Sequence, residues 1–310
     1  LATQQKSHSL KASFLISGHP LIYDACHLSL KENVNIENIS VFAHTWWDDS
    51  YKNKCYKMHF RERFGNENLS YSLAEKFSAK KIKAEKSKPF DISFLERFDN
   101  RTWGDYDGKG NWVPMSLDYY RIMTPILLLS VLSQTYTAHQ SYLLSKDEDF
   151  DVCIKSRNDI LFTKPIKEII ETLDLAEDKI YFQSSVNGGH LYAGEFPNRP
   201  CDWFFVGNPK AVGKFLQNWH DSIKNEYISG IIHTNEYVRR VCSQNNLDLI
   251  LVDFGAVIYK QTNDYYQRYL NQIDVYMNDF DPEKAEPRNP DIWPYWISDV
   301  DFNHTKKLNF

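Results

Sequence analysis

Short apolar runs alternate along this chain with segments whose apolar residues recur at helical spacing. Residues 13–17 (Ser-Phe-Leu-Ile-Ser) predict a first strand, closed by Gly18-His19-Pro20. Residues 21–32 follow with Ile22, Ala25, Leu28 and Leu30 on one side, and residues 39–43 predict a second strand that ends in His44-Thr45-Trp46-Trp47. Strand, glycine turn, helix and strand make a βαβ unit, which favours a parallel sheet with a right-handed crossover. Residues 116–146 predict a long helical stretch with Ser116 as N-cap, Leu127, Leu128, Val131 and Leu132 on the buried side, and Pro125 interrupting it. Residues 152–155 predict a buried strand that runs into the polar turn Arg157-Asn158-Asp159, followed at once by the apolar Ile160-Leu161-Phe162.

Beyond that point the pattern predicts helices over 166–173, 209–219 and 237–242, the last opened by Glu236. Strands are predicted over 179–183, 203–206, 247–252 and 257–259. Residues 48–112 are rich in lysine, asparagine and aromatics, with a strand or helix around 79–85, and read as a variable excursion. Residues 1–11 read as a polar tail, 12–271 as one domain, and 272–310 as an extended tail packed on it. The fold class is therefore α/β, with a mainly parallel sheet flanked by helices.

Composition narrows the function. Across 310 residues the formal net charge is −5, so there is no global basic field to draw nucleic acid. Longer apolar runs are too short to cross a bilayer, which leaves peripheral membrane contact open. Five cysteines are scattered without a Cys-x-x-Cys pair, an argument against a zinc or disulfide scaffold and for a reducing, cytoplasmic setting. Aromatic residues make up 15% of the chain, enough to supply both core and stacking surfaces for sugars or bases.

Candidate chemistry gathers at the ends of strands. Asp-x-Asp pairs occur at Asp105/Asp107, Asp147/Asp149, Asp149/Asp151, Asp279/Asp281 and Asp299/Asp301, but none follows a buried strand. Arg157 and Asp159 do. In open α/β sheets ligands bind at the carboxyl ends of the strands. There an arginine suits phosphate oxygens, and a carboxylate suits Mg²⁺, Mn²⁺ or a hydroxyl. Ser17, Gly18 and His19, and Thr45 and Trp46, close the first two strands and so share that edge. Trp46 or Trp47 is expected to stack on a base. Asp202, where a strand begins, and Glu236, at a helix start, are both candidate general bases. The bland alternatives are a surface ion pair for Arg157 and Asp159, turn chemistry for the glycine, and a first-turn acid complementing the helix dipole for Glu236.

In this order the pieces Phe14-Leu-Ile-Ser-Gly-His19, Val41-Phe-Ala-His-Thr-Trp46, Met115-Ser116, Val152–Phe162, Asp202-Trp-Phe-Phe-Val-Gly207 and Asn235-Glu236 carry a resemblance. Over roughly residues 12–260 the chain resembles GT-A-fold (Rossmann-type) nucleotide-sugar glycosyltransferases of the surface-polysaccharide type, including WavE-like lipopolysaccharide-synthesis enzymes and viral relatives. The resemblance implies transfer of a sugar from a nucleoside-diphosphate donor, UDP- or GDP-linked, to a glycan acceptor. It implies that Arg157 and Asp159 bind the diphosphate, with Asp159 holding Mn²⁺ or Mg²⁺, and that Ser17, Gly18, His19, Thr45, Trp46 and Ser116 line the nucleotide-sugar site. Glu236 would be the base, with Asp202 the second candidate. A single acid in the motif, beside an arginine, points more to diphosphate than to obligate metal. The competing readings are a phosphosugar transferase, which would release a nucleoside monophosphate, and a non-catalytic carbohydrate-binding module built on exposed aromatics.

Overall fold

The computed structural model describes residues 10–18, 20, 24–47, 69–86, 88, 90–91, 104–106, 112–114, 117–184, 200–228 and 234–258. In chain order these form β1 (Lys11–Gly18), α1 (Asp24–Asn33), β2 (Asn38–Trp46), α2 (Leu69–Lys76) and β3 (Lys81–Glu85). An antiparallel pair follows, β4 (Gly104–Tyr106) and β5 (Trp112–Pro114), then α3 (Leu117–Leu143), β6 (Val152–Arg157), β7 (Ile160–Phe162) and α4 (Ile166–Glu171). The remainder comprises β8 (Lys179–Ser184), β9 (Pro200–Gly207), α5 (Pro209–Ile228), α6 (Thr234–Gln244), β10 (Asp248–Val252) and β11 (Ala256–Ile258).

Seven strands make the central sheet in the order β10-β8-β9-β6-β1-β2-β3. Every pairing is parallel except those of β9, which runs antiparallel to both β6 and β8. This is the mixed α/β architecture that the pattern predicts. The central strands are buried on both faces: β1, β6 and β9 have almost no exposed position, which is why they read as unbroken apolar runs rather than as alternation. On one face Leu15, Phe42, Cys153, Phe182 and Phe205 pack against α3, α5 and α6. On the other, Phe14, Ile16, Val41 and Ile154 pack against α1, α2, α4 and β7.

Chain order decides where a ligand can sit. From β1 the chain steps outward through β2 to β3, then returns to β6 on the opposite side of β1. The order reverses between β1 and β6, and the crevice outside their carboxyl ends is the ligand site of doubly wound sheets. Because β9 is reversed, its amino end lies at this same edge, with Pro200 beside Ser184 and Cys201 beside Gln183.

Several expectations are corrected. Pro125 does not interrupt the long helix: α3 runs unbroken from Leu117 to Leu143. An interior proline costs about 3 kcal/mol, and α3 offsets that by burying Leu128, Val131 and Ala138 against the sheet and α5. Of the two readings of the segment around 79–85, strand or helix, the strand holds, as β3. The helix predicted over 209–219 continues to Ile228, because Trp219 and Ile223 extend its apolar face. No helix among the described residues is long and apolar enough to cross a membrane. The tails at 1–9 and 272–310, and most of the excursion at 48–112, lie outside the described residues.

Candidate active site at the sheet switch point

Register brings the predicted strand ends together. Ser17 lies beside Arg157 across β1 and β6, and Gly18 lies beside Thr45 across β1 and β2. Gly18 has φ +112, a conformation that side-chain-bearing residues avoid, and a Cβ built there would meet nothing within 4 Å among the described residues. The backbone is therefore open toward the crevice at this point. Ser17 is buried, and the Thr45 hydroxyl shares a 2.7 Å hydrogen bond with Ser70, which ties β2 to α2.

Trp46 departs from the expected role. Its indole is fully buried, donates a 2.7 Å hydrogen bond to Ser133 Oγ and stacks on Tyr136 at 5.3 Å between ring centroids. The ring is thus a packing element between β2 and α3, and it presents no open face on which a base could stack. His19 and Ser116 lie outside the described residues.

At the end of β6 the turn is built around an internal ion pair. Arg157 donates from Nε to Asp159 Oδ1 at 2.8 Å and from Nη2 to Oδ2 at 2.7 Å, a bidentate fork. The Asp159 carboxylate is 2% exposed and the Arg157 side chain 28%. Directly after it, β7 is pinned to α1: Ser29 Oγ and Asn33 Nδ2 both donate to the Phe162 carbonyl, at 2.9 and 2.8 Å. The apolar stretch seen in the sequence is therefore an anchor that fixes the turn.

This geometry does not fit Asp159 as a metal ligand. Both its oxygens face a guanidinium, whose charge repels a divalent cation. Among the described residues no group of three or more His, Cys, Asp or Glu is placed to hold a metal ion. The Asp147–Asp151 cluster sits at the opposite edge, where Asp151 accepts a 2.8 Å hydrogen bond from the Lys11 amide at the start of β1.

Asp202 is brought to the ligand edge by the reversal of β9. Its side chain accepts a 3.1 Å hydrogen bond from Gln134 Nε2 of α3, and the residue is 8% exposed. Next to it is a residue that the sequence reading passed over as part of a strand. Lys155 is fully buried, and its Nζ donates to the carbonyls of Asp202 and Trp203 at 3.4 and 3.3 Å. Burial pushes its pKa down to about 7 against the opposing pull of Asp202. Glu236 is the third residue of α6. That helix ends just before β10 begins at the amino edge, where Leu247 N–H bonds the Cys242 carbonyl and Asp248 pairs with Lys179. Its first turn, with Glu236, consequently lies on the carboxyl side of the sheet.

Two further polar groupings border this edge, and neither was anticipated. His44 Nε2 lies 2.8 Å from Glu85 Oε1, and the same oxygen accepts a 2.8 Å bond from the Tyr136 hydroxyl. Burial holds the His44 pKa down at about 4, against the pull of Glu85, so the ring is neutral and donates from Nε2, while its buried Nδ1 has no hydrogen-bond partner among the described residues. Burial would raise Glu85, but hydrogen bonds from His44, Tyr136 and Lys88 overcome it and hold the carboxyl near 2. On the far side of the sheet, the buried Gln183 accepts from the amides of Phe254 and Ala256 at 2.9 and 3.1 Å, and so clamps the loop between β10 and β11. A histidine-ending strand and a glutamine in a strand carry no local signal of such partners.

The three described free thiols, Cys153, Cys201 and Cys242, are buried with pKa values raised by burial, which suits inert core residues rather than nucleophiles.

No family model and no curated protein matches the chain. Among solved structures it is similar to the glycosyltransferase GlyE of Streptococcus pneumoniae TIGR4, with a TM-score of 0.37 and 9% identity over 97% of this chain and 65% of that one. The apo form of the same protein gives a TM-score of 0.36 and 10% identity over the same shares. The chain thus spans just under two thirds of that neighbour's length.

Proposed function

We propose that the protein is a glycosyltransferase that moves a sugar from a nucleoside-diphosphate sugar to a hydroxyl of a glycan acceptor. The observation that carries this reading is the switch-point crevice. The carboxyl ends of β1, β2 and β6 and the reversed start of β9 converge there, bringing Ser17, Gly18, Arg157 and Asp202 to one edge. Resemblance of the strand-end motifs to GT-A enzymes of the surface-polysaccharide type, WavE-like members included, supports the same assignment.

In this reading the glycine turn admits the nucleotide close to the backbone. Arg157 supplies the positive charge that the departing diphosphate requires, held in place by Asp159 so that little reorganisation is needed during the reaction. The acceptor oxygen forms its bond to the anomeric carbon as the bond to the diphosphate oxygen breaks, and that electron pair leaves with the nucleotide. The acceptor hydroxyl proton passes to a carboxylate, Asp202 or Glu236. No step runs through a metal at Asp159.

A thermal-shift screen of nucleoside mono- and diphosphates, with and without Mn²⁺, tests the reading. Stabilisation by UDP or GDP is expected, and it would exclude a purely carbohydrate-binding module. No response to any nucleotide would overturn the proposal. Release of nucleoside monophosphate rather than diphosphate during turnover would identify a phosphosugar transferase instead.

A further inference from the structure

Beneath the start of β9 lies a buried lysine, Lys155, that no step of the proposed reaction uses. Along β9 the partner of Phe182 is Phe205, but the partner of the next residue, Gln183, is Cys201. Asp202, Trp203 and Phe204 therefore bulge out of the ladder with β8, and the ladder with β6 covers only Phe205 to Gly207. Bulges of this kind re-aim side chains next to active sites. They also take backbone carbonyls out of the sheet, and a buried carbonyl needs another donor.

Lys155 is that donor. Its Nζ lies over the Phe205 ring, 5.7 Å from the centroid, and reaches the carbonyls of both Asp202 and Trp203. A fully buried lysine is costly, and a methionine would fill similar space without a charge. What methionine cannot do is donate to two carbonyls in a bulge. The Asp202 carboxylate is gripped separately, by Gln134 from α3. Backbone and side chain of this one acid are thus anchored from two directions. The charged groups acting on Lys155 are Asp202, Arg157 and Asp159, all at the same crevice.

We infer that Lys155 is a positioning residue for Asp202: by tying down the carbonyls of Asp202 and Trp203 it holds the β9 bulge in the shape that turns the Asp202 carboxylate to the switch-point crevice. The inference rests on the transferase reading, in which the Asp202 carboxylate takes the proton of the acceptor hydroxyl. It assigns Lys155 to turnover through Asp202 and not to nucleotide affinity.

The test is a double-mutant cycle of Lys155→Met and Asp202→Asn. UDP-glucose and GDP-mannose serve as donor probes for turnover, and UDP and GDP as probes for binding. Lys155→Met is expected to keep the nucleotide Kd within about threefold while kcat falls by about tenfold or more. In the Asp202→Asn background it is expected to add less than about twofold, as for two residues acting through one group. A Lys155→Met protein with wild-type kcat, or losses that multiply in the double variant, overturns the inference while leaving the transferase reading intact. Wild-type protein that binds neither nucleotide and turns over neither donor overturns both. If Lys155→Met does not fold, Lys155→Gln, whose shorter amide keeps N–H donors but lacks the reach to bond both carbonyls, carries the same comparison with the same outcomes.

Discussion

Arg157→Ala and Asp159→Ala remove opposite halves of one ion pair, and the structure makes their consequences unequal. The Asp159 carboxylate is 2% exposed and receives two charge-assisted bonds of 2.8 and 2.7 Å, whereas Arg157 is 28% exposed. Truncating the arginine takes both of those charge-assisted bonds from a buried carboxylate, a change that costs about 3–5 kcal/mol. Truncating the aspartate leaves a guanidinium that can turn toward water, so the cost falls to about 1–2 kcal/mol. The double variant removes the carboxylate together with its guanidinium, and the coupling between the two sites is expected to be about 2 kcal/mol. Urea unfolding followed by tryptophan fluorescence measures all three. Nucleotide binding by calorimetry adds the functional half. Loss of a hydrogen bond between arginine and diphosphate, worth about 1.5–3 kcal/mol, lowers UDP or GDP affinity roughly 10- to 150-fold in Arg157→Ala. Asp159→Ala is expected to lose less affinity than Arg157→Ala. Additive stability losses, within about 0.5 kcal/mol, would refute the pairing. An Asp159 variant that lost more affinity than the Arg157 variant would refute the division of roles and return Asp159 to the ligand.

Three other perturbations follow from the same geometry. His44 and Glu85 both have folded pKa values below their ordinary ones, at about 4 and about 2. The unfolded chain therefore binds more protons as pH falls, first at His44 between about 6.5 and 4 and then at Glu85 between about 4.5 and 2. Stability is present above this window and lost as pH drops through it, by up to about 3 kcal/mol for the coupled pair; His44→Phe should flatten the upper part of a urea-midpoint profile against pH. Gly18→Val puts a branched side chain at φ +112, facing the open crevice. It is expected to cost about 1–3 kcal/mol in stability and to lower UDP or GDP affinity by about tenfold or more, both read by thermal shift. Gln183→Leu strands the Phe254 and Ala256 amides, which now donate to its side chain, at a cost of about 2–4 kcal/mol in urea unfolding.

The legible part of this fold was the part written as burial. β1, β2 and β6 lie between two helical layers, so their apolar runs stand out whatever their partners are. Arg157 and Asp159 stand apart from the five Asp-x-Asp pairs by their position after such a strand, and Arg157 ends β6 beside Ser17 of β1. What the pattern does not encode is direction and pairing. An apolar run reads the same in either sense, so the reversal of β9, which carries Asp202 to the ligand edge, left no trace in the sequence. Trp46 illustrates a second blind spot. A tryptophan ending a strand reads equally as a stacking platform or as core, and only Ser133 and Tyr136, brought in by a helix far along the chain, decide for core. Lys155 is a third. Its strand reads as buried, but the carbonyls that receive its Nζ lie in a bulge of a neighbouring strand 47 and 48 residues away and leave no local signal. Pro125 does not end α3 because its local cost is offset by packing that the helix gains along its length, which the local pattern does not show.

The location of the nucleotide is the claim on which the rest depends, and a crystal structure of the protein with UDP or GDP measures it directly. The expected result is a diphosphate in the crevice between the carboxyl ends of β1 and β6, against the Gly18 backbone and within hydrogen-bonding distance of Arg157. A nucleotide bound at the opposite edge of the sheet, or on a helical face away from Arg157, would contradict it.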